Sequence, residues 1–348
     1  MAVGNVAVPN TIYPIDGIKL SATAAGVRYK DRDDLVVIEI ADSANTAVVT
    51  TKNTFCAAPV RVLREHFAKA SPRYLITNTG NANAGTGADG KRRAVDICSA
   101  LAAKAGVDVS TVLPFSTGVI GEPLNSDAVI AGLDNALANL AADNWLAAAN
   151  GIRTTDTIPK LASEKVDVDA ISYHITGMSK GSGMIRPNMA TMLGYVATDA
   201  NIAADLLQEM LSKINEQSFN RITVDGDTST NDCCVLIATG TASSEIIDSP
   251  EHPHYQPIFD ALTAVFVRLA QLIVRDGEGA TKFMTVKVTG GNTTQACCDV
   301  AYAVAHSPLV KTAFFASDAN WGRILAAVGY AGIDGLDSER VDGYIDGV

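Results

Sequence analysis

The stretch Lys180-Gly-Ser-Gly-Met-Ile-Arg-Pro-Asn-Met-Ala-Thr191-Met-Leu193 holds residue types that can do acyl chemistry on the chain itself. Two glycines two residues apart permit backbone conformations closed to other residues, and the Ile185-Arg186-Pro187 step stiffens the approach to Ala190 and Thr191. A threonine hydroxyl so placed can attack the carbonyl before it, forming an ester that water then breaks, and a strained peptide favours that shift. Cleavage of the Ala190-Thr191 bond would give Thr191 a free α-amine beside its own hydroxyl, so one residue would supply nucleophile and base. Taken alone, the same stretch also fits a plain buried threonine after a tight turn.

Other clusters compete with this one. Gly85-Thr-Gly-Ala-Asp-Gly90-Lys91 satisfies GxxxxGK between a strand and a helix, which makes a nucleotide-binding module a rival function. Against it, Arg92 stands where Ser or Thr should hold Mg²⁺, and Asp89 puts a negative charge inside the phosphate cradle. Asp225, Asp227 and Asp232 are spaced like the start of a Ca²⁺ loop but lack its bidentate Glu, so this loop reads as hydrogen-bonded scaffold with ligand contact open. The six cysteines include two adjacent pairs and no CxxC, and the five histidines form no metal pattern, so no metal is expected. Buried free thiols in a reducing cytosol are the expectation, with His252 and His254 in a proline-flanked surface loop.

Three long motifs carry a resemblance: KGSGMIRPNMATML at 180–193, FNRITVDGDTSTND at 219–232 and DANWGRILAAVGYAG at 318–332. Together they resemble the ornithine acetyltransferase family, the glutamate N-acetyltransferases of arginine biosynthesis, and the likeness spans nearly the whole chain. It implies a layered α/β (α+β) sandwich of the ornithine acetyltransferase/DmpA-like type. It implies a precursor that cuts itself into an α chain, residues 1–190, and a β chain, residues 191–348. Thr191 would take the acetyl group of N-acetylornithine and pass it to glutamate, with no cofactor. Whether acetyl-CoA also donates, making the enzyme bifunctional, stays open. Water as acceptor would make the same nucleophile an aminopeptidase or amidase.

The resemblance also assigns residues. Thr117 and the backbone N–H of Gly118 fall at the oxyanion hole, while Thr154, Lys180, Thr191 and Glu278 fall at substrate-binding positions, with Thr155 a one-residue alternative to Thr154. Substrates of this class carry carboxylates and an amine, so a cation and an anion in the pocket make chemical sense. The implied partners are a matching α or β chain, assembled as a heterotetramer of two of each. Family members continue for some tens of residues past Gly343-Tyr-Ile-Asp-Gly-Val348, a tail that brings an Asn and a Ser or Thr to the pocket. A shortened C-terminus is therefore expected here.

The elements that must position these groups follow from composition and pattern. The sequence is 348 residues long, 47% hydrophobic and 19% charged, enough to bury a large core. Its net charge of −11 argues against a nucleic-acid backbone or an anionic membrane as partner. No signal peptide is expected at the start, no stretch is expected to span a bilayer, and the protein is expected in the cytoplasm. Strands are expected at 35–40 and 45–51, as a hairpin or adjacent pair, and at 74–77, 171–176, 193–198, 234–239 and 284–288, the last with one polar face. Helical spacing appears at 95–105, after a Ser126 cap, at 207–218, at 262–273 and at 296–305. Strands and helices thus alternate in both halves, as in layered α/β proteins.

Overall fold

Period-two apolar patterns on both faces of most strands decide how this chain layers. The structure, a computed structural model, describes residues 2–186 and 192–347. Two compact units divide it: Val6–Glu278, and Met1–Asn5 with Gly279–Val348. In the larger unit the elements run β1 (Ile18–Thr23), β2 (Leu35–Ile40), β3 (Asn45–Thr50), α1 (Ala58–Phe67), β4 (Tyr74–Asn81), α2 (Gly87–Ala105) and β5 (Val112–Val119). They continue with α3 (Ser126–Ala138), α4 (Trp145–Gly151), β6 (Lys160–Val168), β7 (Ile171–Lys180), β8 (Leu193–Thr198), α5 (Ala204–Gln217), β9 (Cys233–Ala238) and α6 (Tyr255–Arg275).

The strands form two sheets, ordered β1-β2-β4-β5 and β3-β9-β8-β7-β6. In β2, Leu35 and Val37 face the core shared with α2 and α3, whereas Val36, Ile38 and Ile40 face the other sheet. In β9, Cys233, Val235 and Ile237 face that same intersheet core, whereas Cys234 and Leu236 face α5 and α6. Side chains alternate faces along a strand, so strands apolar at every position must be covered twice. The result is four layers, with α2 and α3 outside one sheet, α5 and α6 outside the other and α4 packed against both sheets, and the layered α/β expectation holds. The adjacent cysteines Cys233 and Cys234 point to opposite cores for the same reason.

Several local expectations are corrected. Strands 35–40 and 45–50 form, but not as a pair: β2 lies between β1 and β4, while β3 crosses to the other sheet and pairs antiparallel with β9. A β2 buried on both faces needs neighbours in its own sheet, and β1 and β4 supply them. Asn125, not Ser126, caps α3, its side chain accepting from Ala128 N. By length and hydropathy α6 could cross a bilayer, against the sequence expectation. Its apolar face is core, however, with Leu262, Val265, Phe266, Leu269 and Ile273 packed against the sheet. His254 is buried rather than on a surface loop, held between Tyr173 OH at 2.7 Å and Asp169 at 3.2 Å. Of the cysteines, only Cys98, Cys233 and Cys234 are buried; all six are free.

The smaller unit carries α7 (Thr294–His306), α8 (Pro308–Phe315) and α9 (Trp321–Gly329) around Val304, Val310 and Ala327. Residues 284–288 form no strand there, and Met284 and Val286 are exposed. An alternating pattern without a neighbouring strand leaves its backbone groups to water.

Candidate active site

Strand ends bring the chemistry together. β4 and β5 run parallel and finish side by side, with Thr79 opposite Thr117 and Gly80 opposite Gly118. In the other sheet β7 ends on Lys180, opposite Leu193 at the start of β8, and Leu193 is in turn opposite Cys233 of β9. The sheets stack, so the end of β5 meets the ends of β7, β8 and β9. Lys180 Nζ donates to Thr117 Oγ1 across that junction at 3.1 Å. A cavity of about 40 Å³ opens here, lined by Thr117, Lys180, Gly183, Met192, Asn231 and Asp232 among others.

The carboxylate-rich loop after α5 braces one wall. Asp225 accepts from Met184 N at 2.6 Å and Ile185 N at 2.9 Å, Val224 N donates to Ile185 O at 2.8 Å, and the Thr228 hydroxyl donates to Arg186 O at 3.1 Å. These bonds hold Met184 at a φ of +57°, a conformation costly for a residue with a β-carbon. Asn231 Nδ2 donates to Ala82 O and Ser116 O, fixing the backbone one residue before Thr117. The expected scaffold role of this loop is therefore what its side chains do.

The second wall is built on buried charge. Asp156 accepts from Gly181 N at 2.6 Å and Thr154 N at 3.0 Å, and lies 4.0 Å from Lys180 Nζ. Thr155 Oγ1 and Ser182 Oγ share a hydrogen bond of 2.6 Å, and Glu278 N donates to Ser182 O at 2.8 Å. The exposed Glu278 carboxylate lies over Gly183: a β-carbon on that glycine would stand 2.8 Å from Glu278 Cδ.

Gly118 has a φ of +138°, and a β-carbon there would come within 2.2 Å of the Gly80 carbonyl carbon, so only glycine lets β4 and β5 close at this end. Of the residues singled out in the sequence, Thr117 and Lys180 touch each other and line the cavity. Thr154 is tied to them through Asp156, Glu278 stands beside Gly183 on the rim, and Gly118 is exposed next to Thr117. Ala190 and Thr191 lie outside the described residues; Met192, the next residue, lines the cavity.

The phosphate-loop alternative is corrected by the geometry. Gly87 to Lys91 already belong to α2, Asp89 pairs with Arg92 and Arg93, and Lys91 is bound to Glu65 at 2.6 Å. A β-carbon on Gly90 would collide with the Asn83 and Thr86 side chains, so that glycine answers to packing and not to a ligand.

Against known proteins, residues 19–348 match the ArgJ family over almost the full length. The chain belongs to the ArgJ family. The arginine biosynthesis bifunctional protein ArgJ of Psychrobacter arcticus is 89% identical over 348 residues, which make up all of this chain and 86% of that protein. Its counterpart in Pseudomonas syringae pv. tomato is 53% identical over the same span, covering 85% of that protein. Among solved structures, the ArgJ bifunctional protein of Bacillus halodurans is similar at 33% identity with a TM-score of 0.47, over 51% of this chain and 92% of that chain.

In this ArgJ-family chain burial and neighbouring charge shift Lys180, Asp156 and Asp232 from their ordinary values. Burial depresses the Lys180 ammonium, while Asp156, Asp232 and Glu278 work to keep its proton on. Burial acts to raise Asp156, yet Lys180, Lys160 and the Gly181 N–H together hold its carboxyl far below the usual carboxylate range. Asp232 goes the other way: burial raises it well above that range, with Ser229 and Lys180 opposing, and its Oδ2 has no hydrogen-bond partner. Sequence reasoning gave Asp156 no role at the site and read Asp232 as scaffold with ligand contact open. No local motif marks either one, because what distinguishes them is burial beside Lys180.

Proposed function

We propose that this ArgJ-family chain is a glutamate N-acetyltransferase that cuts itself between Ala190 and Thr191 and then moves acetyl groups through Thr191. The observation that carries the reading is the Lys180 Nζ to Thr117 Oγ1 contact at 3.1 Å, in a cavity that Met192 also lines. An N-terminal threonine beside Met192 supplies hydroxyl and base together. The hydroxyl attacks the acetyl carbonyl of N-acetylornithine, Thr117 Oγ–H and Gly118 N–H stabilise the oxyanion, and the terminal amine passes the proton to departing ornithine. Glutamate then attacks the acetyl ester, and the same donors serve the second tetrahedral intermediate. Acetyl-CoA acts as a further donor for glutamate, in line with the bifunctional relatives.

Lys180 pairs with a substrate carboxylate, and Glu278, beside Gly183, with a substrate amine; Thr154 completes the pocket. The five-stranded sheet supports a stable cleaved form, since β3, β6 and β7 precede residue 191 and β8 and β9 follow it. Hydrogen bonds between strands of both chains keep α and β together after the cut, and two such pairs make the heterotetramer. Six free thiols suit a reducing cytoplasm.

Mass spectrometry of the purified wild-type protein decides the first step, and an assay of acetyl transfer from N-acetylornithine to glutamate decides the second. Two fragments divided at 190/191, with Thr191→Ala uncut and inactive, are expected. An intact active chain, or a Thr191→Ala variant with full transfer, would overturn the proposal.

A further inference from the structure

Beneath the cavity lies a sealed cluster of charge. Lys160 Nζ is 2.6 Å from Asp156 Oδ1 and 2.7 Å from Asp276 Oδ2, and all three side chains are closed to solvent. Such a cluster is a poor device for stability, because dehydrating the ions offsets their attraction and apolar residues of equal volume hold a fold as well. Two carboxylates share one ammonium, which leaves one negative charge over. Lys180 Nζ, 4.0 Å from Asp156 Oδ2 and itself little exposed, balances it.

What Lys180 does with its charge sets the consequence. Its ammonium donates to Thr117 Oγ1. A hydroxyl oxygen that accepts from a cation must direct its single hydrogen elsewhere, and Thr117 lines the cavity, which leaves that hydrogen available to a ligand there. A neutral amine at the same position could accept that hydrogen instead and take the donor out of use. We propose that Asp156 is a positioning residue that acts through the Lys180 ammonium to keep the Thr117 hydroxyl aimed as an oxyanion donor. The inference rests on the assignment of Thr117 to the oxyanion hole.

Among the described residues, four ionisable groups face Lys180 from the elements packed around it. Asp156 precedes β6, Lys160 opens β6, Asp232 precedes β9 and Glu278 follows α6; Thr117 on β5 is neutral. Asp156 is the foremost of the groups holding the proton on Lys180 against burial, and Lys160 opposes it. Asp276 binds the far side of Lys160 and is not among the principal charges acting on Lys180.

The test is the pH dependence of kcat and kcat/KM for acetyl transfer in the wild type, Asp156→Asn, Asp276→Asn and Lys180→Arg. The terminal amine must be neutral to act as base, so it governs the acid limb; Lys180 must be charged, so it governs the alkaline limb. Asp156→Asn is expected to move the alkaline limb to lower pH by about one unit, the smaller end of the shift a close counter-charge produces. Above the limb this reads as roughly tenfold lower kcat, one unit being a factor of ten. Asp276→Asn should lose stability with the limb in place, which separates positioning from mere support of the core. Lys180→Arg, whose guanidinium stays charged, should turn over and lose the alkaline limb.

A folded Asp156→Asn variant with an unmoved limb overturns the inference. So does a Lys180→Arg variant that keeps the wild-type limb, and this arm decides if Asp156→Asn does not fold. An Arg variant without turnover at any pH counts against it too, since a guanidinium keeps both things asked of position 180, a donor for Thr117 Oγ1 and a positive charge for the substrate carboxylate. A wild type that transfers no acetyl group would remove the parent assignment instead, so the two failures are distinct.

Discussion

Adding one methyl group at Gly183 isolates the part Glu278 plays. A β-carbon there would stand 2.8 Å from Glu278 Cδ and Oε1 and 3.0 Å from Oε2, and these are the end of an exposed, flexible side chain. Gly183 is not among the residues with positive φ, so alanine is tolerated by the backbone. Ordinary contact begins near 3.4 Å, so the carboxylate must retreat by about 0.6 Å, the difference between 3.4 and 2.8. Moving an exposed carboxylate costs little, and stability should stay within about 0.5 kcal/mol of wild type. Displacing a charged partner of the substrate is dearer: misplacement by ~1 Å costs ~10²-fold, so about tenfold is expected here.

Steady-state acetyl transfer with each substrate varied in turn, beside a thermal melt, is the assay. Gly183→Ala should raise KM for the substrate whose amine meets Glu278 by about tenfold and leave kcat within about threefold, because Thr117 and Lys180 are untouched. In a Glu278→Ala background the same methyl group should have no further effect, since the two changes act through one contact. Wild-type KM values together with a wild-type melt would show that Glu278 does not hold the substrate at this rim.

Two further substitutions probe the fold around the site. Gly118→Ala places a methyl group within 2.2 Å of Gly80 C and 2.4 Å of Asn81 N, both backbone atoms, at a φ of +138°. The ends of β4 and β5 must part, and a loss of more than about 2 kcal/mol by chemical denaturation is expected; an unchanged midpoint would contradict the packing described. Asp232→Asn should stabilise at neutral pH. The folded pKa of Asp232 is raised above its unfolded value, so its favourable contribution is complete below about pH 4 and is lost as pH rises through the folded pKa. Urea midpoints should therefore favour the Asn variant at pH 7 and converge with wild type in acid, and an Asn variant less stable at pH 7 would contradict that environment.

Much of the layering was legible because burial on two faces leaves a mark in strand composition. LVVIEI at 35–40 and CCVLIA at 233–238 are apolar at almost every position, and each is a strand covered on both sides. The reading failed where two apolar strands adjacent in sequence, β2 and β3, were assumed adjacent in space, since no local pattern says which sheet a strand joins. It failed again at 284–288, where alternation was present and a partner strand was not.

The sequence by itself determined the family, because KGSGMIRPNMATML and FNRITVDGDTSTND are motifs too long to arise by coincidence. Only the tertiary structure decided that Thr117 and Lys180, 63 residues apart, share a hydrogen bond, and that Asp156 and Asp232 come close enough to act on that lysine. A carboxylate reads the same in sequence whether water or a buried ammonium surrounds it. Its charge state, and so its part in the chemistry, belongs to the environment that the stacked strand ends create.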